Sequence, residues 1–272
     1  MRNIKLTIEY DGRDFNGWQK QPKKLNIQGT IERAIEEITG EPIELNASGR
    51  TDAGVHSLGQ VANFKTNSLI PIEKIPIAIN TKIKKSIRII DAEEVDEKFH
   101  SRLTCKRKTY RYIINNNMIA SAIYRNLETH IPQKLDVEKM KKAVKFFEGE
   151  HDFRAFKASG TSSKSSVRTI YKAKIYPQKD NRLWIELTGN GFLYNMIRII
   201  VGTLVEVGLG KIEVNEIPKI IEEGKRENAG KTMPPNGLYL LKVDYWCENC
   251  QKGPSPLTTS FINFVNFNQY NS

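Results

Sequence analysis

The sequence predicts an α+β fold made of two related halves. Segments in which apolar and polar residues alternate, the pattern of half-buried strands, are mixed with segments whose apolar residues recur at the spacing of amphipathic helices. The order of these segments lacks the regular alternation of strand and helix that builds a doubly wound parallel sheet. The same mixture occurs in each part of the chain, which predicts two related halves.

The first half, residues 1–104, is predicted to begin with a strand. Apolar residues alternate with polar ones from Ile4 to Tyr10, as they do in a strand with one buried face. Apolar positions then recur at helical spacing from 28 to 39, and Gly40 is expected to end that helix. The other predicted elements are strands at 43–47, 61–65 and 86–92 and a short helix near 72–80.

The second half, residues 105–245, repeats the mixture. Strands are predicted at 109–115, 168–176, 182–188 and 239–245, and helices at 137–147, 192–207 and 214–223. The boundary between the halves is placed where the acidic run 91–97 gives way to the basic run 102–111. Residues 246–272 form a polar tail without a pattern, which we expect to be loosely attached.

The net charge indicates a polyanionic partner. The 272 residues include 42 lysines and arginines against 31 aspartates and glutamates, a net charge of +11, and the charges balance within residues 1–100. The windows 101–127 and 153–179 contain no acidic residue, although they hold six and seven bases. A polyanion is therefore the expected partner.

Composition also excludes several classes of protein. The chain has no uninterrupted run of 18 apolar residues, so a membrane span is not expected. Three cysteines, an odd number, argue against a disulfide framework and favour the reducing cytoplasm. Cys247 and Cys250 have the spacing of metal ligands, but they form only half of a zinc site because no second pair accompanies them.

The densest group of chemically capable residues is the segment 48–56, SGRTDAGVH. Its two glycines allow the backbone to turn tightly or to approach a ligand, and Arg50, Thr51 and Asp52 lie between them. Such a loop is a suitable place for a reactive carboxylate. The alternative is an ordinary turn in which Asp52 accepts hydrogen bonds from backbone N–H groups.

A second candidate is Arg198, which interrupts the strongly apolar run 192–205. A guanidinium that is buried by such a helix needs an anion, which could be a carboxylate or a phosphate. The alternative is a structural ion pair on a half-exposed helix.

A third candidate is the basic, aromatic strand 106–112, KRKTYRY. Tyr110 and Tyr112 fall on the same face of a strand, and aromatic faces stack on nucleobases while neighbouring cations hold phosphates. In that interpretation the four bases of this segment flank the stacking residue, and those from Arg154 to Lys179 form a landing surface for RNA. The alternative is a pair of core aromatics beside a solvated basic face.

Taken together, these motifs resemble the TruA-type tRNA pseudouridine synthases. The resemblance runs from Ile4 to about Tyr245 and rests most strongly on GRTDAGVH at 49–56. It is also carried by EYDG at 9–12, GWQ at 17–19, YRY at 110–112, MIR at 196–198 and GLYL at 237–240. The tail after Tyr245 shows no pattern of this family.

The resemblance implies a fold, a substrate and an assembly. The implied fold is the pseudouridine synthase fold, in which two ferredoxin-like α/β halves share a central antiparallel sheet with a basic cleft between them. The implied activity is the isomerisation of uridine at positions 38, 39 and 40 of the tRNA anticodon stem-loop. A homodimer is implied to bind the tRNA, and the implied reaction uses neither a cofactor nor a metal.

The resemblance also implies roles for five residues. Asp52 corresponds to the catalytic aspartate, and Arg198 to the arginine that forms an ion pair with it. Tyr110 corresponds to the tyrosine that stacks on the flipped uracil, with Tyr112 as the alternative. Arg50 corresponds to an arginine associated with base flipping, and Leu238 to an apolar residue of the pocket.

The implied chemistry suits these residue types. The reaction needs an ionised carboxylate, and we expect Arg198 to keep Asp52 ionised by lowering its pKa. A non-catalytic RNA-binding protein or tRNA chaperone would use the basic windows but would need neither residue. A glycoside hydrolase or nucleosidase would require two carboxylates beside the scissile bond, and only Asp52 stands in a loop that resembles a site.

Overall fold

A computed structural model of the chain describes residues 1–160 and 165–245, and its main feature is one ten-stranded sheet. The strands are β1 (Arg2–Tyr10), β2 (Asn46–Ala47), β3 (His56–Thr66), β4 (Ile87–Val95), β5 (Cys105–Asn115), β6 (Thr129–His130), β7 (Gly149–Asp152), β8 (Val167–Pro177), β9 (Arg182–Gly189) and β10 (Leu238–Tyr245). The α-helices are α1 (Ile27–Thr39), α2 (Ile75–Lys82), α3 (Val137–Val144), α4 (Met196–Gly208) and α5 (Ile217–Glu223). The predicted α+β class is confirmed.

The order of strands brings the two predicted halves into one sheet. The order is β4-β1-β3-β10-β5-β9-β8-β7, with β2 beside β3 and β6 beside β5. The pairings are antiparallel except for β10 with β3 and β6 with β5. Because β10 inserts between β3 and β5, the last described strand of the chain joins β3, which follows the 48–55 loop, to β5, which carries Tyr110.

The apolar residues form two clusters. One cluster gathers side chains of the first hundred residues, and its α1 members Ile27, Ile31 and Ile35 are fully buried. The other contains the apolar face of α4 together with side chains of β5, β8 and β9. Val55 comes from the first half but packs in the second cluster, so it anchors the loop that carries Asp52 against the other half of the molecule.

Most predicted elements are confirmed, and the differences have local causes. Asn195 has a left-handed backbone with φ of 61°, so α4 begins at Met196 and not near 192. The predicted strand 43–47 is reduced to β2, whereas β3 begins at His56, within the segment assigned to a loop. The short strands β6 and β7 were not predicted, because a few paired residues leave no periodicity to detect. Within the described residues, no helix is long and apolar enough to cross a membrane.

A Gly202→Ala substitution is expected to destabilise the fold, because segment 229–233 crosses α4 at this position. A Cβ on Gly202 would lie 1.8 Å from the carbonyl oxygen of Lys231. Overpacking costs about 1–3 kcal/mol or more, which exceeds the gain of roughly 1 kcal/mol from replacing a helical glycine by alanine. The free energy of unfolding, measured with denaturant, should fall. Gly191→Ala is the control, since its Cβ would meet its nearest neighbour at 3.7 Å, and equal stabilities would contradict the expectation.

Candidate active site

A cleft of about 1110 Å³ contains most of the predicted site residues. Arg50, Asp52, Tyr110 and Leu238 all line it, and Arg198 reaches Asp52 from α4. The basic residues of the lining are Lys24, Arg50, Arg102, Lys108 and Arg168, and its carboxylates are Glu44 and Asp52. The structure therefore brings together residues that lie far apart in the sequence.

The loop before β3 is held by hydrogen bonds to the backbone and the side chain of Thr51. The Trp18 N–H donates to the Thr51 carbonyl oxygen over 3.1 Å, and the hydroxyls of Tyr10 and Thr51 are 2.8 Å apart. A Cβ on Gly17 would lie 2.6 Å from the same Thr51 oxygen, so the close approach of the two loops requires glycine. These contacts fix the backbone next to Asp52.

The Asp52 side chain faces Arg198. Its Oδ2 lies 3.4 Å from Nη1 of Arg198, and its side chain is 26% exposed. It accepts no hydrogen bond from a backbone N–H of the described residues, so the loop is not the simple aspartate-capped turn that was the alternative. A carboxylate held in this way remains available to a ligand in the cleft.

The pKa of Asp52 is raised overall, although Arg198 lowers it as expected. Burial raises this pKa, the charge of Arg198 and its hydrogen bond lower it, and the net shift is upward. The expected direction of the arginine's effect is right, but one contact of 3.4 Å to a partly buried carboxylate does not compensate for lost hydration. Asp52 therefore ionises at a higher pH than an ordinary aspartate.

The guanidinium group of Arg198 is held by hydrogen bonds from two of its nitrogens. Its Nε donates to the Met233 carbonyl oxygen over 2.6 Å, and its Nη1 donates to Oδ1 of Asn195 over 2.7 Å. Only 15% of the side chain is exposed. The anion that the buried guanidinium needs is thus Asp52, supplied from the other half of the sequence.

The two tyrosines of β5 have different surroundings. Tyr110 lines the cleft and meets Phe192 edge to face at 5.3 Å between ring centroids. Its hydroxyl forms no hydrogen bond with the described residues, and burial strongly raises its pKa. The hydroxyl of Tyr112 instead lies 2.6 Å from Oγ1 of Thr129 and donates to the Pro234 carbonyl oxygen over 2.7 Å. Tyr112 is a core residue, whereas Tyr110 can meet a ligand.

The bases around Tyr110 are not equivalent. Arg111 is 5% exposed, lies over the Trp184 ring and pairs with Glu186 at 2.6 Å. Neighbouring strand residues point to opposite faces, so the expectation that Arg111 flanks the stacking residue is wrong. Lys108 does line the cleft, but its Nζ donates to the Ser48 carbonyl oxygen over 2.6 Å and supports the Asp52 loop.

Arg50 and Leu238 occupy contrasting positions in the cleft. Arg50 is exposed and makes no hydrogen bond or ion pair with the described residues, so its charge is available to a ligand. Leu238 is 5% exposed and pairs with Tyr112 across β10 and β5. It contributes apolar surface to the lining.

Sequence reasoning did not identify Asn195 and Met233, although both hold Arg198. Met233 acts through its backbone carbonyl, which leaves no signature in the sequence. An asparagine directly before an apolar helix is typical of a cap residue, but the side chain of Asn195 does not cap α4. The sequence therefore indicated a helix cap at position 195, whereas the side chain instead holds Arg198.

No group of three or more His, Cys, Asp or Glu residues within the described ranges could hold a metal ion. Cys247 and Cys250, the pair with metal-ligand spacing, lie outside the described residues.

A family model described as tRNA pseudouridine synthase matches residues 6–103 and 143–246, more than half of the chain. The chain belongs to this family. A protein of Acetivibrio thermocellus named tRNA pseudouridine synthase A is 52% identical over 245 residues, which are 90% of this chain and all of that protein. Proteins of the same name from Caldicellulosiruptor saccharolyticus and Clostridium botulinum are each 51% identical over the same shares of the two chains.

Membership in the family establishes the general activity. A tRNA pseudouridine synthase is an isomerase that converts uridine in tRNA into pseudouridine, so the chain is an enzyme. The family also confirms the predicted pseudouridine synthase fold, with its mixed sheet of ten strands. The alternatives of a non-catalytic tRNA chaperone and of a glycoside hydrolase are therefore set aside.

Proposed function

We propose that this synthase isomerises uridines 38, 39 and 40 of the tRNA anticodon stem-loop, with Asp52 as its nucleophile. The observation that carries the proposal is the position of the Asp52 carboxylate, paired with Arg198 and facing the same cleft as Tyr110. In this assignment residues 1–104 supply the nucleophile, and residues 105–245 supply its partner and the stacking residue.

The reaction defines what the site must do. The N1–C1′ bond of uridine breaks, the uracil turns, and a new bond joins C5 to C1′, while C5 loses a proton and N1 gains one. The net change is an isomerisation without oxidation or reduction. An ionised Asp52 supplies the nucleophile, and Arg198 favours its charged form against the effect of burial.

Access to the uracil requires extrusion of the nucleotide from the stem-loop. Flipping costs a few kcal/mol, whereas stacking on an aromatic side chain is worth about 1–3 kcal/mol per base. Tyr110 and Leu238 offer an aromatic ring and an apolar side chain in the cleft. We assign base stacking to Tyr110, contact with the flipped base to Leu238, and support of the flipped conformation to the exposed Arg50.

The same proposal includes how the tRNA is held. Arg102, Lys108 and Arg168 in the lining, with other bases between Arg154 and Lys179, supply positive charge for the phosphates. Two copies of the chain are proposed to bind the tRNA together as a homodimer, as the family resemblance implies. The cytoplasm is the proposed location, in keeping with a tRNA substrate.

The proposal is tested with tRNA transcripts that carry tritium at C5 of uracil. Bond formation at C5 releases this tritium to water, so the wild-type enzyme should release it from transcripts with uridine at 38, 39 or 40. Matched transcripts with cytidine at these positions should release none. Release from the cytidine transcripts would place the reaction elsewhere, and binding without release from any transcript would contradict the activity.

A further inference from the structure

Asn195 shares a nitrogen atom of Arg198 with Asp52. Its Oδ1 accepts a hydrogen bond from Nη1 over 2.7 Å, and the same Nη1 lies 3.4 Å from Oδ2 of Asp52. The third contact of the guanidinium is on a different nitrogen, where Nε donates to the Met233 carbonyl oxygen over 2.6 Å. Asn195 is thus the closer of the two acceptors at the nitrogen that faces the carboxylate.

The backbone of Asn195 is unusual in a way that serves this contact. Its φ of 61° and ψ of 4° lie in the left-handed region, which costs a residue with a Cβ about 1 kcal/mol, although asparagine tolerates it better than most. Its side chain does not cap α4, the common role of asparagine before a helix. The side chain instead accepts a hydrogen bond from Arg198, which lies one turn into the helix. It also lines the cleft.

We propose that Asn195 is a positioning residue that fixes the Arg198 guanidinium against the Asp52 carboxylate. The inference rests on the proposed role of Asp52 and goes beyond it, since it assigns the geometry of the pair to a third side chain. Hydrogen bonds on two nitrogens fix the plane of a guanidinium, whereas one bond leaves it free to rotate. Without Asn195, the Met233 contact alone would let Nη1 turn away from Asp52.

The surroundings of Asp52 determine how a pH profile should respond. Among the described residues, the groups coupled to Asp52 by charge are Arg198 from α4 and Tyr110 from β5, and Arg50 of its own loop lines the same cleft. The neighbouring loop presents Gly17, which carries no charge. A change in the position of Arg198 therefore acts directly on the ionisation of Asp52.

The experiment compares Asn195→Gly with Asn195→Asp in steady-state assays across acidic and neutral pH. Glycine suits the left-handed backbone and removes only the acceptor, so the variant should fold normally. Its kcat should fall about tenfold to a hundredfold, the scale of a misplaced catalytic group, with an unchanged KM. Its acid limb should move to higher pH, because Asp52 loses the attraction of Arg198.

The Asn195→Asp variant keeps an acceptor oxygen in the same place, so its plateau kcat should return most of the way to the wild-type value. Its acid limb should still lie at higher pH, since a second carboxylate disfavours ionisation of Asp52. Thermal unfolding midpoints of the variants identify any loss of activity that is due to a destabilised fold.

A wild-type kcat and pH profile in Asn195→Gly would overturn the inference. An equally poor plateau in a folded Asn195→Asp variant would also overturn it. Asp52→Asn measured in parallel distinguishes a failure of the positioning role of Asn195 from a failure of the proposed function. If that variant is inactive while Asn195→Gly is normal, only the positioning role fails, whereas an active Asp52→Asn variant would contradict the proposed function itself.

Discussion

An Asp52→Asn variant is expected to bind tRNA and to form no measurable pseudouridine. Asparagine has nearly the same shape as aspartate, but its amide is not a nucleophile. The rate should therefore fall by about 10⁴-fold or more, as in other enzymes that lose a nucleophile or its partner. Quantification of pseudouridine in digested tRNA measures the loss, and filter binding measures the affinity for tRNA.

Stability should change little in this variant. The asparagine oxygen can still accept a hydrogen bond from Nη1 of Arg198, and Arg198 keeps its hydrogen bonds to Asn195 and to the Met233 carbonyl oxygen. Asp14→Asn is the matched control, because it makes the same chemical change at an exposed aspartate that does not line the cleft. This control should retain full activity. Full activity of Asp52→Asn would contradict its role as the nucleophile.

An Arg198→Met variant is expected to show the second large loss of activity, concentrated at low pH. The reactive form of Asp52 is the carboxylate, so activity falls as the pH drops through its pKa. Burial already raises this pKa, and Arg198 opposes that effect. Its removal should raise the pKa further and move the acid limb to higher pH. The dependence of single-turnover rate on pH measures the shift.

Arg198→Lys serves as the control for charge. Lysine keeps the positive charge but lacks the planar fork that contacts Met233 and Asn195 together. Its acid limb should therefore lie between those of the wild type and of Arg198→Met. An acid limb that stays in place in both variants would show that Arg198 does not govern the ionisation of Asp52.

Much of the fold was predictable because its signals are local. The alternation in β1 and the helical spacing in α1 reflect burial of one face, which the sequence records directly. The insertion of β10 between β3 and β5 could not be predicted in this way, since pairing between distant strands leaves no local pattern. The late start of α4 depends on one backbone angle at Asn195, in a segment that is otherwise apolar enough for a helix.

The site was predictable in part from residue type alone. An arginine in an apolar helix needs an anion, which residue type alone left open as a carboxylate or a phosphate, and the family resemblance supplied its pairing with Asp52. The net rise in the pKa of Asp52 could not be predicted, because it depends on how far burial outweighs one contact of 3.4 Å. The ion pair of Arg111 with Glu186 could not be predicted either, because it depends on which face of β5 meets the cleft.

The most direct test of the central proposal is site-resolved mapping of pseudouridine in tRNA from cells that lack this chain. We expect the modification to be absent at positions 38, 39 and 40, to return when the wild-type chain is supplied, and to remain absent when Asp52→Asn is supplied at the same level. Pseudouridine that persists at these positions without the chain, or that returns with Asp52→Asn, would contradict the proposal.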